Sequence, residues 1–482
     1  MIASLVLGAV LAASPVVQQA PMAITGVTIV DPRSGSLRPR SLVVVDKQRI
    51  TYAGAASTGK IPRGARVVDG RGRFLIPGLW DMHVHISPGR HGWPEETREY
   101  YFAVLLANGV TGVRDMAGSL SILGGWRARV ARGELLGPRL VIGGNKIGSG
   151  TPVVPGAPDR IRSAADLRLI ARLLKEQGAD HVKIGDMPPG LMPAAEAAAR
   201  AVGLPLVGHL PLGESAGAAI ESGYRSIEHM HNILAAGSTD EAGLLQRQFA
   251  FVHASQLGVS DEEKTPSGER GYPVPDPETI EDRRILTLAA QARERGTWFT
   301  PTLRAAGRIT QQPGLLFGPG PAPYRRPLET LGRGERARPV RPPTAGQQAF
   351  WDLSLRSVGL LHRGGAHLLA GTDSPNSAAG FSLGDELELL VRAGLPPAAA
   401  LRAATSEAAD YLAAADSMGT IRPGFVADLV LLDGNPLEDI ANVRRIRAVV
   451  VRGRLLERPA LDSLLARAAV LAPVAWSRNS EP

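Results

Sequence analysis

The sequence predicts an α/β fold, a (β/α)8 barrel of TIM type carrying a small β-sandwich domain built from both chain ends. Two observations lead there. Between residues 74 and 393, short strand-like apolar runs alternate eight times with segments of helical periodicity, the rhythm of parallel β/α units. On either side, residues 22–77 and 425–456 show strand patterning broken by Gly, Pro and Asp. The expected divisions are a signal peptide at 1–21, sandwich segments at 22–77 and 418–460, the barrel at 78–417 and a C-terminal tail at 461–482.

Residues 2–13 form an apolar run too short to span ~30 Å of hydrocarbon. Small residues follow it, as at a signal cleavage site, so the mature chain is expected to begin between Ser14 and Met22 and to be exported, periplasmic or extracellular. No Lys or Arg precedes the run, which keeps a cytoplasmic chain as the alternative. Strands are expected at 24–30, 41–46, 49–53 and 67–69. The barrel then opens with a strand-like run at 74–85 and a helix at 101–108, followed by strand 110–116 and helix 122–132, and by strand 139–144. From 163 to 178, Leu167, Ile170, Leu173 and Leu174 recur at helical spacing, with Ser163 as N-cap and Gly178 as stop. Strands 181–184, 205–209, 226–229, 297–302 and 366–373 alternate with helices 193–202, 215–222, 282–295, 346–363 and 384–393. Strand character returns at 425–433 and 446–456.

Two long connections, 230–281 and 303–345, follow the sixth and seventh strands and so belong to the face where barrels carry their chemistry. Connections of this length are functional lids or disordered segments. The second is rich in Pro, Gly and Arg, including Arg325 and Arg326, and residues 303–343 hold eight Arg against two acidic residues.

Composition narrows the function classes. With 44% hydrophobic and 21% charged residues among 482, global disorder is excluded. The absence of cysteine excludes disulfides, thiolate metal sites and thiol nucleophiles. The net charge of +8 comes from 54 basic residues of which only six are lysine, and the arginines are dispersed rather than clustered. With no nucleic-acid motif present, that charge reads as a solvated basic surface, and no nucleic-acid partner is expected. No later stretch is apolar for ~18 residues, so no stable membrane span is expected.

Candidate ligands sit at the ends of five predicted strands. His83 and His85 are separated by two, which places both imidazoles on one side of the first strand. Lys183, His209, His229 and Asp373 end the fourth, fifth, sixth and eighth. Imidazoles and a carboxylate converging on a barrel mouth are a metal-binding set. Lysine suits such a set only when it loses its proton, after which it can react with CO2 to give an anionic carbamate; arginine, permanently charged, cannot.

The segments PGLWDMHVH, HVKIGDM, VGHLP, SIEHMH, AGTDSP and PGFVADLVLLDGNP together resemble the amidohydrolase superfamily. With FSLGDELELLVRAGLPPAAALRAATSEAA, they look most like its imidazolonepropionase-related branch, which includes Xaa-Pro and Xaa-Arg dipeptidases. The resemblance runs from about residue 22 to 456. It implies a binuclear site, with His83, His85 and Asp373 on the more buried metal, His209 and His229 on the outer one, and carboxylated Lys183 bridging. It further implies two divalent ions, Zn²⁺ foremost, a hydroxide between them as nucleophile, and Asp373 as general base and then acid. The expected activity is hydrolysis of an amide or peptide C–N bond in a small, carboxylate-bearing substrate such as a dipeptide or N-acyl amino acid. A cyclic amide, imidazolone or lactone is the alternative substrate, and a catalytically inactive barrel scaffold the distant alternative. A homo-oligomer is expected. His231, His91, Arg114, Arg325 and Arg326 are the candidate substrate contacts.

Overall fold

A computed structural model of the chain describes residues 20–86, 95–148, 152–185, 187–188, 190–211, 213–256, 273–310, 312, 342–373 and 379–477. Five strands open it: β1 (Met22–Asp31), β2 (Ser36–Asp46), β3 (Arg49–Ala55), β4 (Arg66–Asp69) and β5 (Phe74–Pro77). Eight follow in β/α alternation: β6 (Leu79–Val84), β7 (Val110–Asp115), β8 (Arg139–Ile142), β9 (Val182–Ile184), β10 (Leu206–Gly208), β11 (Ser226–Glu228), β12 (Trp298–Thr300) and β13 (His367–Leu368). Three more close the chain: β14 (Leu429–Leu432), β15 (Ile446–Val451) and β16 (Arg454–Glu457).

The two chain ends share one sheet, in the order β16-β15-β14-β5-β1-β2-β3, with β4 also paired to β1. β14 is the link, lying antiparallel to β5 with Leu431 opposite Leu75. Side chains alternate across a strand, and here the alternation serves two cores. Leu75, Leu429 and Leu431 join the cluster within the sheet domain, while Ile76, Val430 and Leu432 join the large cluster of the β/α region.

The eight middle strands form two parallel sheets, β6-β7-β8 and β9-β10-β11-β12-β13. Hydrogen bonds continue from one to the other at both edges. Met82 N–H donates to Ala370 O and Asp373 N–H to His83 O, each at 2.8 Å, and Ile147 N–H donates to Lys183 O at 2.9 Å. The helix Ala164–Glu176 typifies the outer layer. Ser163 Oγ accepts from Asp166 N–H and the Asp166 carboxylate accepts from Ser163 N–H, a capping box, and Gly178 follows in the left-handed region. Its Leu167, Ile170 and Leu174 are buried in the main core.

Three differences from the sequence reading have physical causes. The eighth strand is only two residues long rather than 366–373, because after Leu369, whose N–H still donates to Phe299 O, the chain hydrogen-bonds to the first strand. The connection after β11 begins with helices His231–Gly237 and Glu241–Gln256, so much of it has structure of its own. The expected C-terminal tail is instead mostly helix, Arg458–Ser477. That helix packs on Glu95–Ala107, with Leu461, Ala468 and Leu471 buried and Arg467 paired to Glu99. Among the described residues no helix is long and apolar enough to cross a membrane.

Candidate metal centre

The six residues singled out as ligands come from the ends of five strands and meet in one cluster. His83 lies within β6 and Lys183 within β9, while His85, His209 and His229 stand just beyond β6, β10 and β11. Asp373 follows the irregular stretch after β13. Two glycines let these backbones approach. A Cβ on Gly371 would lie 2.7 Å from His83 Cβ and 2.5 Å from Thr300 Cγ2. Gly208, at φ +122°, would place one 2.3 Å from Ile184 O.

Around that floor the donor atoms crowd together. His85 Nε2 is 3.0 Å and His83 Nε2 3.5 Å from Asp373 Oδ1, and Lys183 Nζ is 3.3 Å from His83 Nε2. His209 Nε2 and His229 Nε2 face each other at 3.0 Å. One ligand atom each from His83, His229 and Asp373 lies within 4.8 Å of the others. Burial holds the imidazoles of His83 and His209 well below their ordinary range, and brings His229 to about 4. They are therefore neutral at pH 7, with lone pairs available. Burial also lowers Lys183, to about 8. For Asp373 burial opposes the charge, but His83, His85 and His229 outweigh it and hold the carboxyl well below its usual range. Neutral imidazoles around an ionised carboxylate are a donor set that fits a divalent cation.

Solved structures share this architecture. A Xaa-Pro dipeptidase with bound methionine in the active site superposes with a TM-score of 0.64 at 20% identity, over 91% of this chain and 100% of that one. Bottromycin amidohydrolase gives 0.65 at 23%, over 95% and 93%. Among curated proteins, the dihydroorotase of Pelotomaculum thermopropionicum is 42% identical over 67 residues, so this chain spans only 15% of its length. The 5'-deoxyadenosine deaminase of Methanothermobacter thermautotrophicus is 26% identical over 262 residues, 48% of this chain and 57% of that protein. The family model described as the amidohydrolase family matches residues 355–456, a segment that contains Asp373. Over that segment the chain matches the amidohydrolase family.

The cluster stands on a buried polar layer that the sequence reading left unassigned. Glu228 accepts from His83 Nδ1 at 2.8 Å, from Arg114 Nη2 at 2.7 Å and from Ser226 Oγ at 2.6 Å. An ionised carboxylate can only accept, so the His83 proton sits on Nδ1 and Nε2 is left with its lone pair toward the cluster. Asp81 ties the first strand to the eighth, accepting from Thr372 N–H and Oγ1–H at 3.0 and 2.8 Å. Both acids lie in segments quoted for the resemblance. A usable signal was an acid within two residues of a candidate histidine ligand, as in Asp81/His83 and Glu228/His229.

Arg114 requires a correction. Expected as a substrate contact, it is wholly buried, and its guanidinium is spent on Met82 O, Ser226 Oγ, Tyr411 Oη, Glu228 Oε1 and Thr300 Oγ1. It reaches His83 through Glu228 instead. Changing Glu228 to Ala leaves that guanidinium buried without its counter-charge and is expected to cost about 3–5 kcal/mol. The check is a denaturant melt beside Glu228→Gln, whose midpoint should fall less. His231 starts the helix after β11, with its ring 4.9 Å from that of Phe350. His91, Arg325 and Arg326 lie outside the described residues.

Proposed function

We propose that this chain is a binuclear metal-dependent amidohydrolase, cleaving an amide or peptide C–N bond of a small, carboxylate-bearing substrate such as a dipeptide or N-acyl amino acid. The observation that carries the reading is the meeting of His83, His85, Lys183, His209, His229 and Asp373 from five strand ends. The eight parallel strands are read as one (β/α)8 barrel, with the ligands at its C-terminal mouth. The sheet built from both chain ends is read as the accompanying β-sandwich.

His83, His85 and Asp373 would hold one ion, Zn²⁺ foremost, and His209 and His229 a second, with Lys183 joining them as its CO2-derived carbamate. When bound, such ions polarise a carbonyl and bring the pKa of water from ~15.7 to about 7. The protein's own residues supply the remainder. Asp373, ionised among three imidazoles, takes a proton from the attacking oxygen and delivers it to the leaving nitrogen. Glu228 and Arg114 keep His83 in one tautomer. His231 is the candidate substrate contact among the described residues. The preference for a carboxylate draws on the arginines of 303–343 other than Arg304, since Arg forks pair with carboxylates through two parallel hydrogen bonds.

The test is a panel of dipeptides, N-acyl amino acids, their amidated counterparts, cyclic amides and lactones, assayed on zinc-loaded protein with metal content measured alongside. Expected are about two equivalents of metal per chain and higher kcat/KM for free acids than for matched amides. Active protein with only trace metal would defeat the metal reading. Equal kcat/KM for acid and amide would remove the carboxylate preference. Turnover confined to cyclic amides, imidazolones or lactones would transfer the assignment to that alternative.

A further inference from the structure

We propose that Thr302 is the positioning residue for His229: its hydroxyl accepts the Nδ1 proton and thereby presents the Nε2 lone pair to the outer metal, an inference that rests on the binuclear reading above. Thr302 lies two residues beyond β12 and is 1% exposed. Its Oγ1 stands 2.7 Å from His229 Nδ1. The competing acceptor for that nitrogen, Asp373 Oδ2, is 3.9 Å away, beyond hydrogen-bond length. On the other side of the same ring, Nε2 faces His209 Nε2 at 3.0 Å, where two imidazoles can share a cation only if both present lone pairs. Thr302 would thus do for His229 what Glu228 does for His83, and a ligating histidine ordinarily has such a partner on its second nitrogen.

The backbone supports a dedicated role. Thr302 adopts φ 51° and ψ 47°, a left-handed conformation that a β-branched residue rarely takes. His229 at φ 67° and Asp373 at φ 43° share that region, so three of the seven described non-glycine residues with positive φ belong to this one site. Such conformations persist where surrounding structure holds them. For Thr302 the holder is the helix Phe381–Arg392, part of the FSLGDELELL segment. Its Glu386, fully buried, accepts from Leu303 N–H at 3.0 Å and from Arg304 N–H at 2.7 Å. Its Asp385 pairs with Arg304 Nε at 3.2 Å. The eighth helix thereby fixes the turn after the seventh strand, and that turn fixes a ring on the sixth.

A space-filling role and a positioning role separate cleanly, because valine matches threonine in shape but lacks the hydroxyl. The full-length apoprotein is titrated with Zn²⁺ against a chelating indicator as wild type, Thr302→Val and Thr302→Ser, with apoprotein melting measured in parallel. Thr302→Val is expected to bind one equivalent as wild type does and the other ~10–100-fold more weakly, and Thr302→Ser to recover the affinity. Wild-type binding of both equivalents by Thr302→Val, or equal weakening in Thr302→Ser, overturns the assignment. Nitrogen-15 histidine spectra of the zinc-loaded wild type, assigned with His229→Gln, need no change at Thr302. They should show His229 protonated at Nδ1, and protonation at Nε2 would overturn the proposal even if the valine variant did not fold. A wild-type chain that binds no zinc removes the metal reading itself, a different result from a valine variant that binds as wild type does.

Discussion

Exchanging Lys183 for arginine is expected to abolish turnover and to lower metal content from about two equivalents to one or fewer, with the fold intact. Lys183 is 1% exposed, and its Nζ lies 3.3 Å from His83 Nε2, among the ligands rather than at their edge. A protonated amine there would repel the cations that the imidazoles and Asp373 attract. The position makes sense for a lysine that gives up its proton and reacts with CO2, gaining two anionic oxygens. Arginine keeps its charge and cannot form a carbamate. Both residues are cationic in water, so a role resting on positive charge alone would survive the exchange. Elemental analysis, circular dichroism and kcat measured on one preparation decide the matter. Near-normal activity in Lys183→Arg would remove the bridging role.

Asp373→Asn is expected to reduce kcat by about 10²–10⁴, with less metal lost than in His83→Ala. The substitution isolates chemistry from geometry. Asp373 occupies the left-handed region at φ 43°, which asparagine also tolerates, so the turn is kept. The amide oxygen can still face His85 Nε2, which lies 3.0 Å from Oδ1 in the native chain. What disappears is the ionised group proposed to take up and return a proton. His83→Ala instead removes a wholly buried ligand together with the acceptor role of Glu228 toward it, so metal should be lost first. Undiminished turnover in Asp373→Asn would take it out of the mechanism.

Local rules carried the sequence reading a long way and then met interactions they do not contain. The period of two in β6 put His83 and His85 on one side, and the Ser163 cap with its apolar stripe located the helix Ala164–Glu176 within a residue or two. Ligand candidates at strand ends were legible because parallel β/α units bring the C-terminal ends of their strands to one side. Arg114 and Glu228 were harder. Each is an ordinary polar residue in its own strand, and only the meeting of the two side chains in the fold turns them into a buried pair. Thr302 carries no local mark at all, since its meaning depends on a helix some 80 residues further along the chain. The short eighth strand was missed for a related reason: 366–373 is apolar enough for a long strand, but Gly371 lets the chain approach His83 closely.

The shared strand β14 also bears on how the chain is made. Synthesis runs from the N-terminus, so β5 emerges early with its Leu75 and Ile76, while its antiparallel partner is encoded more than 350 residues later. Until the ribosome delivers Leu429–Leu432, the small sheet has an open apolar edge of the kind that recruits foreign strands. Both cores wait on the same four residues, two of them facing each way. A nascent or prematurely terminated chain lacking them would therefore hold a nearly complete set of β/α units beside an unfinished sheet, the form in which this protein is most exposed to aggregation and to chaperone capture.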